Sequence, residues 1–527
     1  MIGRRLIGRG ALLAIGLAFG ASQPGHTAPL LGGRPGGLVL DGPATDHPAA
    51  TILNPATLGL RRDSTVYFAT TGDLQLGSAQ RTPIDRDSGQ ALLTRSALDR
   101  AGERALRFSR EQWRQFDPQL FAAVSSRLGS SAVVFGLSTR WQRDQSSLLV
   151  ADADPAVVDG GLQRASRYHG ATLAFTQLHI TPAAAVRLLR GWWLGLSISY
   201  VRSSVQLGLV RDAALAGGTR REGDEPLALD ACGSAADAPR CDYENPLAAE
   251  GVHASGSTDA LGAAIGLVGR LRADLDAGLA YVSAVGNPGS SDLRTAGEAT
   301  IYPAAAVRDG VREALGVTAE ATPLLRGRSV IHYRLPDIVS LGARWRATPR
   351  VALEALLRWT HWARHTDLDV RFSGVQLRLA DRFTADRLIL RRGFQDVGAL
   401  QLGSAIELRP PLELQLAAQV ASGAVERAAV TALAIDGWNL DAFAALQWTV
   451  QPGLKLRLGY GLLWVPPITS TASGFDPALQ TACADSGLDI ERAECQATLE
   501  GRGSASTAGR YQRIGHRFDL GLSFEWR

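Results

Sequence analysis

Arg517-Phe-Asp-Leu-Gly-Leu-Ser-Phe-Glu-Trp526 is the stretch that decides the fold. Phe518, Leu520, Leu522, Phe524 and Trp526 alternate with Asp519, Gly521, Ser523 and Glu525, and a period of two belongs to a strand with one greasy and one polar face. In a soluble sheet the greasy face meets a core; in an outer-membrane barrel it meets lipid while the polar face lines the lumen. The rest of the chain chooses between the two.

Arg4, Arg5 and Arg9 precede an apolar run from Ala11 to Ala21. It is too short to span a bilayer as a helix and reads as an export signal over residues 1–22. A short buried helix is the alternative. After Ala21 no run of eighteen apolar residues occurs, which excludes helical membrane spans. Yet 46% of the residues are apolar and 57 are glycine. The net charge of +4 over 527 residues is too weak and too diffuse for nucleic acid. Arginine supplies nearly all the cations, with Lys455 the single lysine, a usage that reads as codon bias.

The cysteines fall in two close pairs, Cys232 with Cys241 and Cys483 with Cys495, in polar stretches. After export, an even count at short spacing reads as local disulfides. Each would close a loop of about ten residues, worth roughly 2.5–3 kcal/mol on a chain-entropy basis. A zinc site is the rival, but the pairs lack C-x-x-C spacing.

Alternation recurs throughout. Leu454, Leu456, Leu458, Tyr460, Leu462 and Trp464 oppose Lys455, Arg457, Gly459 and Gly461; Leu412, Leu414, Leu416, Ala418 and Val420 oppose Glu413, Gln415 and Gln419. Similar ladders near 64–71, 119–127, 132–142, 167–178, 192–202, 257–269, 273–283, 337–346, 350–359, 398–408 and 440–450 bring the count to about fourteen strands, long enough for tilted bilayer crossings. Turning the 454–464 strand over would put Lys455 and Arg457 into hydrocarbon, at about 2–4 kcal/mol each. The leucines therefore point outward.

Short and long connections alternate. Arg346-Ala-Thr-Pro-Arg350, Arg409-Pro-Pro411 and Gln451-Pro-Gly453 are tight turns. The segments near 72–118, 143–166, 203–256, 284–336, 360–397, 422–437 and 465–515 read as long polar loops. They are unusual in a compact soluble domain and expected on the outer face of a membrane barrel. The predicted fold is an all-β transmembrane antiparallel barrel, residues 64–527, with both termini in the periplasm. Residues 23–63, rich in proline and glycine, could dangle in the periplasm or fold into the lumen, which about fourteen strands leave too wide for wall side chains to fill. A large soluble β-sandwich or propeller is the alternative.

Three segments carry a family resemblance. Asn54-Pro55-Ala56-Thr57-Leu58, Leu335-Pro336-Asp337-Ile338-Val339-Ser340-Leu341-Gly342 and Trp359-Thr360-His361-Trp362 resemble motifs of the FadL-type outer-membrane transporters for long-chain fatty acids and aromatic hydrocarbons. The resemblance implies a fourteen-stranded barrel, a luminal hatch at the N-terminus, and uptake of hydrophobic molecules that leave sideways through the wall. Thr57 stands where the family has glycine, and the last residue is Arg527 rather than an aromatic.

Asn54 and Pro55 are candidates for a hatch hinge or ligand contact, against a plain strand-initiating turn. Pro336-Asp337 reads as strand-entry chemistry. Trp345, Trp359, Trp362, Trp448, Trp464 and Trp526 read as aromatic-girdle residues. Arg344, Arg358, Lys455 and Arg457 share lumen parity with Glu354, Glu413, Asp441 and Asp519, so they form an ionic network, or one of them grips a carboxylate head group. No catalytic, cofactor or metal site is expected, since the nine histidines are scattered and no hydrolase motif stands in a suitable context. The partners expected are a hydrophobic small molecule, outer-membrane lipid and lipopolysaccharide, and the barrel-assembly machinery, with the protein a monomer. A passive transporter is the first reading. An adhesive barrel acting through its loops and an outer-membrane hydrolase are the others.

Overall fold

The computed structural model describes residues 34–47, 49–61, 63–81, 110–147, 172–212, 249–303, 316, 324–374, 378–379, 382–383, 387–471 and 507–526. The expected export signal lies outside them. So do Cys232, Cys241, Cys483 and Cys495, so that the disulfides expected between Cys232 and Cys241 and between Cys483 and Cys495 fall outside the described residues too.

Fourteen strands form a closed antiparallel barrel. In order they are β1 (Ser64–Arg81), β2 (Glu111–Ser126), β3 (Val133–Ser147), β4 (Thr172–Leu189), β5 (Trp192–Asp212) and β6 (Ala249–Arg272). Four interrupted strands follow: β7 (Leu275–Val282, Asp292–Tyr302), β8 (Leu325–Arg334, Ile338–Thr348), β9 (Val351–Thr360, Asp367–Ser373) and β10 (Arg387–Arg391, Val397–Arg409). The wall ends with β11 (Leu412–Ala421), β12 (Asn439–Gln451), β13 (Leu454–Ser470) and β14 (Gly509–Trp526). Each strand pairs with the next, and β14 returns to β1 from Ser64↔Trp526 to Arg81↔Gly509. No helix among the described residues is long and apolar enough to cross a membrane; the strands do the crossing.

The outward parity is as expected. Leu458, Tyr460, Leu462 and Trp464 of β13 are exposed while Arg457 is buried in the lumen. Two tryptophan levels mark the interfaces: Trp345, Trp448 and Trp526 near the short turns, and Trp359, Trp438 and Trp464 toward the other end, all exposed. Trp362 departs from the girdle reading. It is buried, edge-on to Phe394 with ring centroids 5.4 Å apart, because β9 breaks at His361 and a 3-10 turn, Trp362–Arg364, carries it inward.

The strands run well past the stretches whose alternation marks them. β5 shows why. Its exposed apolar residues are Leu194, Leu196, Ile198 and Tyr200, but beyond them the apolar parity reverses to buried Val201, Val205, Leu207 and Leu209. Above the bilayer the outside faces water and the inside becomes a core, so the greasy face changes sides. The same reversal turns much of the expected loops 203–256, 284–336 and 360–397 into strand, including Asp292–Tyr302, Leu325–Arg334 and Asp367–Ser373. The fourth strand is likewise Thr172–Leu189 rather than 167–178, since Pro182 and the alanine run Ala183–Ala185 carry no alternation. The upper barrel is thereby filled by one apolar cluster that includes Phe175, Leu207, Tyr333, Leu390 and Tyr511. The chain between β11 and β12 adds Val430, Leu433 and Ile435 from above.

Asp337 joins the strand breaks. Its carboxylate accepts from Ala284 N at 2.7 Å, Tyr281 Oη at 3.2 Å and Arg364 Nη1 at 2.7 Å, and its carbonyl accepts from His361 N at 2.9 Å. One residue thus ties the interruptions of β7, β8 and β9 together. Pro336-Asp337 leads directly into the Ile338–Thr348 segment of β8, as its strand-entry reading expects.

Candidate functional site

The segment Arg34–Leu60 packs inside the lower barrel. It contains a 3-10 turn at Pro35–Gly37, one helical turn at Ala50–Leu53 and a second 3-10 turn at Pro55–Leu60. Asn54 caps the last of these: Oδ1 accepts from Ala56 N at 3.1 Å, while Nδ2 donates to Pro43 O at 2.5 Å. An Asn-Pro pair suits this position because Asn caps well and Pro fits the first helical residue.

Two cross-strand glycine pairs let this segment lie against the wall. Gly195 of β5 pairs with Gly266 of β6, and Gly278 of β7 with Gly342 of β8. A Cβ on Gly195 would sit 2.0 Å from Ala56 N, and one on Gly266 1.8 Å from Asn54 Oδ1. Pro43 O would lie 2.1 Å from a Cβ on Gly278. Only glycine permits so close a backbone approach. Sequence patterning does not reveal these positions, since a glycine carries no polarity to mark its face.

Charged groups complete the docking. Arg358 Nη2 donates to Asp41 Oδ2 at 2.8 Å, and Arg34 Nη1 lies 3.4 Å from Asp41 Oδ1. Burial pushes the Asp41 carboxyl up, but Arg34 and Arg358 more than offset it and hold it at about 2. Arg34 also donates to Val39 O at 2.5 Å and to Gln401 Oε1, and stacks over Phe443 at 3.7 Å. Glu354 accepts from Gly42 N at 2.9 Å and from Thr45 Oγ1. Arg457 Nη2 donates to Gly36 O at 2.5 Å, Gly37 O at 2.6 Å and Tyr67 Oη at 2.9 Å. Lys455 and Arg61 both reach Glu525, at 2.9 Å each.

Of the residues singled out from the sequence, Asn54 and Pro55 lie in the docked segment, and Arg358 and Arg457 bind it. Lys455 pairs with Glu525, and Arg344 lines the chamber below. Arg34, Asp41 and Tyr67 gave no signal in the sequence; the first two sit in a stretch without periodicity.

The segment divides the lumen. Above it is a cavity of about 300 Å³, lined by Ile52, Leu53, Val282, Leu335, Trp362, Phe443 and Leu463 together with Arg34, Arg140, Arg358, Arg513 and Arg517. Arg517 grips Asp73 through Nε at 2.6 Å and Nη2 at 2.9 Å, and Arg513 faces Asp436, Asp441 and Asp144. Below it is a chamber of about 520 Å³ lined by Asp46, Arg61, Arg344, Arg346, Lys455 and Glu525. Beside the upper cavity the wall parts. The β2–β3 register stops at Gln119↔Gln142, although β1–β2 pairing continues to Ala79↔Glu111 and β3–β4 pairing to Ser147↔Thr172.

The outer membrane protein transport protein family (OMPP1/FadL/TodX) matches residues 161–466, more than half of the chain. Among solved structures, a Pseudomonas aeruginosa FadL homologue superposes with a TM-score of 0.64 at 13% identity, covering 94% of this chain and 96% of that one. The P. putida toluene transporter TodX superposes with a TM-score of 0.55 at 14% identity, over 91% of this chain and 94% of its own. For the Ralstonia pickettii toluene transporter TbuX the values are 0.53 and 13%, over 93% and 98%. No curated protein matches the sequence significantly.

Proposed function

This chain belongs to the outer membrane protein transport family (OMPP1/FadL/TodX), outer-membrane barrels that move hydrophobic compounds, and we propose that its cargo is a small uncharged apolar molecule released sideways through the barrel wall. Residues 1–22 then serve as the export signal and residues 23–63 as a hatch inside the 64–527 barrel. The pairs Cys232 with Cys241 and Cys483 with Cys495 would, as disulfides, staple two of its outer loops.

What lies beneath the cavity carries this reading. A solute moving straight down would have to displace the docked segment and then cross a chamber lined by Asp46, Arg61, Arg344, Lys455 and Glu525. An apolar molecule gains roughly 25 cal/mol per Å² by staying out of water and gains nothing among solvated charges. The parted β2–β3 ladder offers a way out at the level of the upper cavity. An uncharged cargo is favoured by three of the five arginines lining the cavity: Arg358 and Arg34 are committed to Asp41, and Arg517 to Asp73. A carboxylate head group would have to compete with these carboxylates.

The test is uptake of labelled toluene and labelled oleate by a null strain complemented with this chain. Strong toluene uptake with weak oleate uptake is expected. Oleate uptake alone would overturn the neutral-cargo assignment, and uptake of neither would sink the transport reading.

A further inference from the structure

The membrane face carries an apolar groove of about 680 Å³ on β8 to β11, rimmed by Leu341, Leu357, Trp359, Leu400 and Trp438. Its floor is Gly398, Ala399, Ala421 and Ser422. Ala399, Ala421, Ser422 and Arg358 also line the luminal cavity, so three small side chains beside Arg358 separate lumen from lipid here. A Cβ placed on Gly398 meets no atom within 4 Å.

The backbone is also thinly joined at this point. The β10–β11 ladder ends at Ala399↔Ala421. Beyond that pair, Ser422 N donates to Gly398 O at 3.0 Å and Gly398 N donates to Ser422 Oγ at 3.0 Å. The next backbone bonds above are Gln395 N to Ala424 O at 2.6 Å and Glu426 N to Gly393 O at 2.9 Å, which flank the isolated bridge Phe394↔Val425. The β9–β10 ladder ends level with it, at Thr360↔Val397, below the break in both strands.

We infer that this groove is a second lateral port, distinct from the β2–β3 parting, through which the apolar solute passes between β10 and β11 at Gly398–Ser422. The occupant is the transported solute, because Arg358, Ala399, Ala421 and Ser422 line both the groove and the luminal cavity. The two ports differ in chemistry. Polar Asp117, Gln119, Gln142 and Asp144 border the cavity at the β2–β3 parting, whereas leucines and indoles, with Arg358 as the one charged neighbour among the described residues, line the β10–β11 groove. A molecule without hydrogen-bonding groups leaves more easily by the second. The inference rests on the transport reading above.

The experiment fills the groove from outside. Gly398→Trp has space for its side chain, and folding is checked by the heat-modifiable gel mobility of the barrel. In cells carrying the full chain, labelled-toluene uptake should fall at least threefold with Gly398→Trp relative to the unmodified chain. A reversible staple, Gly398→Cys with Ser422→Cys, should lower uptake when oxidised and restore it when reduced. Parental uptake in Gly398→Trp, with the unmodified chain active, overturns the port. So does quenching of Trp359 and Trp438 by brominated lipid that changes on filling the groove while uptake does not, which would mark a lipid-acyl site only. An inactive unmodified chain overturns transport itself and is thereby told apart from failure of the port.

Discussion

Adding one methyl group to the lumen wall should undock the N-terminal segment. In Gly266→Ala the new Cβ would fall 1.8 Å from Asn54 Oδ1 and 2.6 Å from its Cγ. β6 cannot retreat, because Gly266 is paired with Gly195 on one side and with Ala280 on the other. Asn54 must move instead, losing its bonds to Ala56 N and Pro43 O. Each such bond is worth about 0.5–1.5 kcal/mol net, and a buried polar group left bare costs about 1–3 kcal/mol. The sum, about 2–6 kcal/mol, raises the undocked population roughly 30- to 20,000-fold at 1.4 kcal/mol per factor of ten. The assays are entry of a small polar dye into cells and single-channel conductance in planar bilayers. Gly208→Ala is the control, because its Cβ would meet Thr172 at an ordinary 3.4 Å. Dye entry and conductance equal to the parent in Gly266→Ala, with the barrel assembled, would refute the argument that the glycine pads seat the segment.

Arg358→Ala leaves Asp41 buried with Arg34 at 3.4 Å as its remaining counter-ion; loss of a buried partner costs about 3–5 kcal/mol, so dye entry should rise, and Asp41→Ala in the same chain should recover part of it. Asp41 is held at about 2, below the ordinary carboxylate value near ~3.9; a depressed acid contributes fully above that ordinary value and loses its contribution as pH falls through the folded one. Hydrogen-exchange protection of residues 34–47 should therefore be flat from pH 7 to 5 and decline between about pH 4 and 2, and a decline centred near pH 6 would contradict the pairing. Leu458→Arg places a cation on the lipid face of β13, where Leu458 is 56% exposed; a loss of about 2–4 kcal/mol is expected in equilibrium unfolding from lipid vesicles, while Lys455→Leu should leave assembly intact. Deleting residues 23–60 should admit small polar dyes without loss of the folded barrel on gels.

The membrane-embedded wall was legible because lipid imposes a period of two and forbids charge on one face: the ladder of β13, the leucines of β11 and the closing aromatics of β14 all sit where alternation puts them. That signal fades where the solvent changes. Above Tyr200 the apolar residues of β5 move to the inner face, so a reading tuned to lipid stops there and names the remainder loop. Trp362 was misplaced for a related reason, since its strand breaks two residues earlier. The luminal segment was only partly legible. Asn54-Pro55 announces a capped turn, but its seat is made of bare glycines, and Arg34 and Asp41 find partners more than 300 residues away in sequence. Periodicity sees neighbours along a chain; it does not see contacts across a lumen.

β6 spans 24 residues, which at about 3.3 Å per residue and a tilt near ~40° reaches roughly 60 Å, against an apolar band of about 25 Å. Some 35 Å of wall, by the same estimate, rises above the bilayer like a chimney. Its interior is packed with apolar side chains, so on the transport reading proposed above an apolar solute would meet an oil-like wall before it meets the membrane. On that reading, the height of the rim would set how far outside the membrane capture begins.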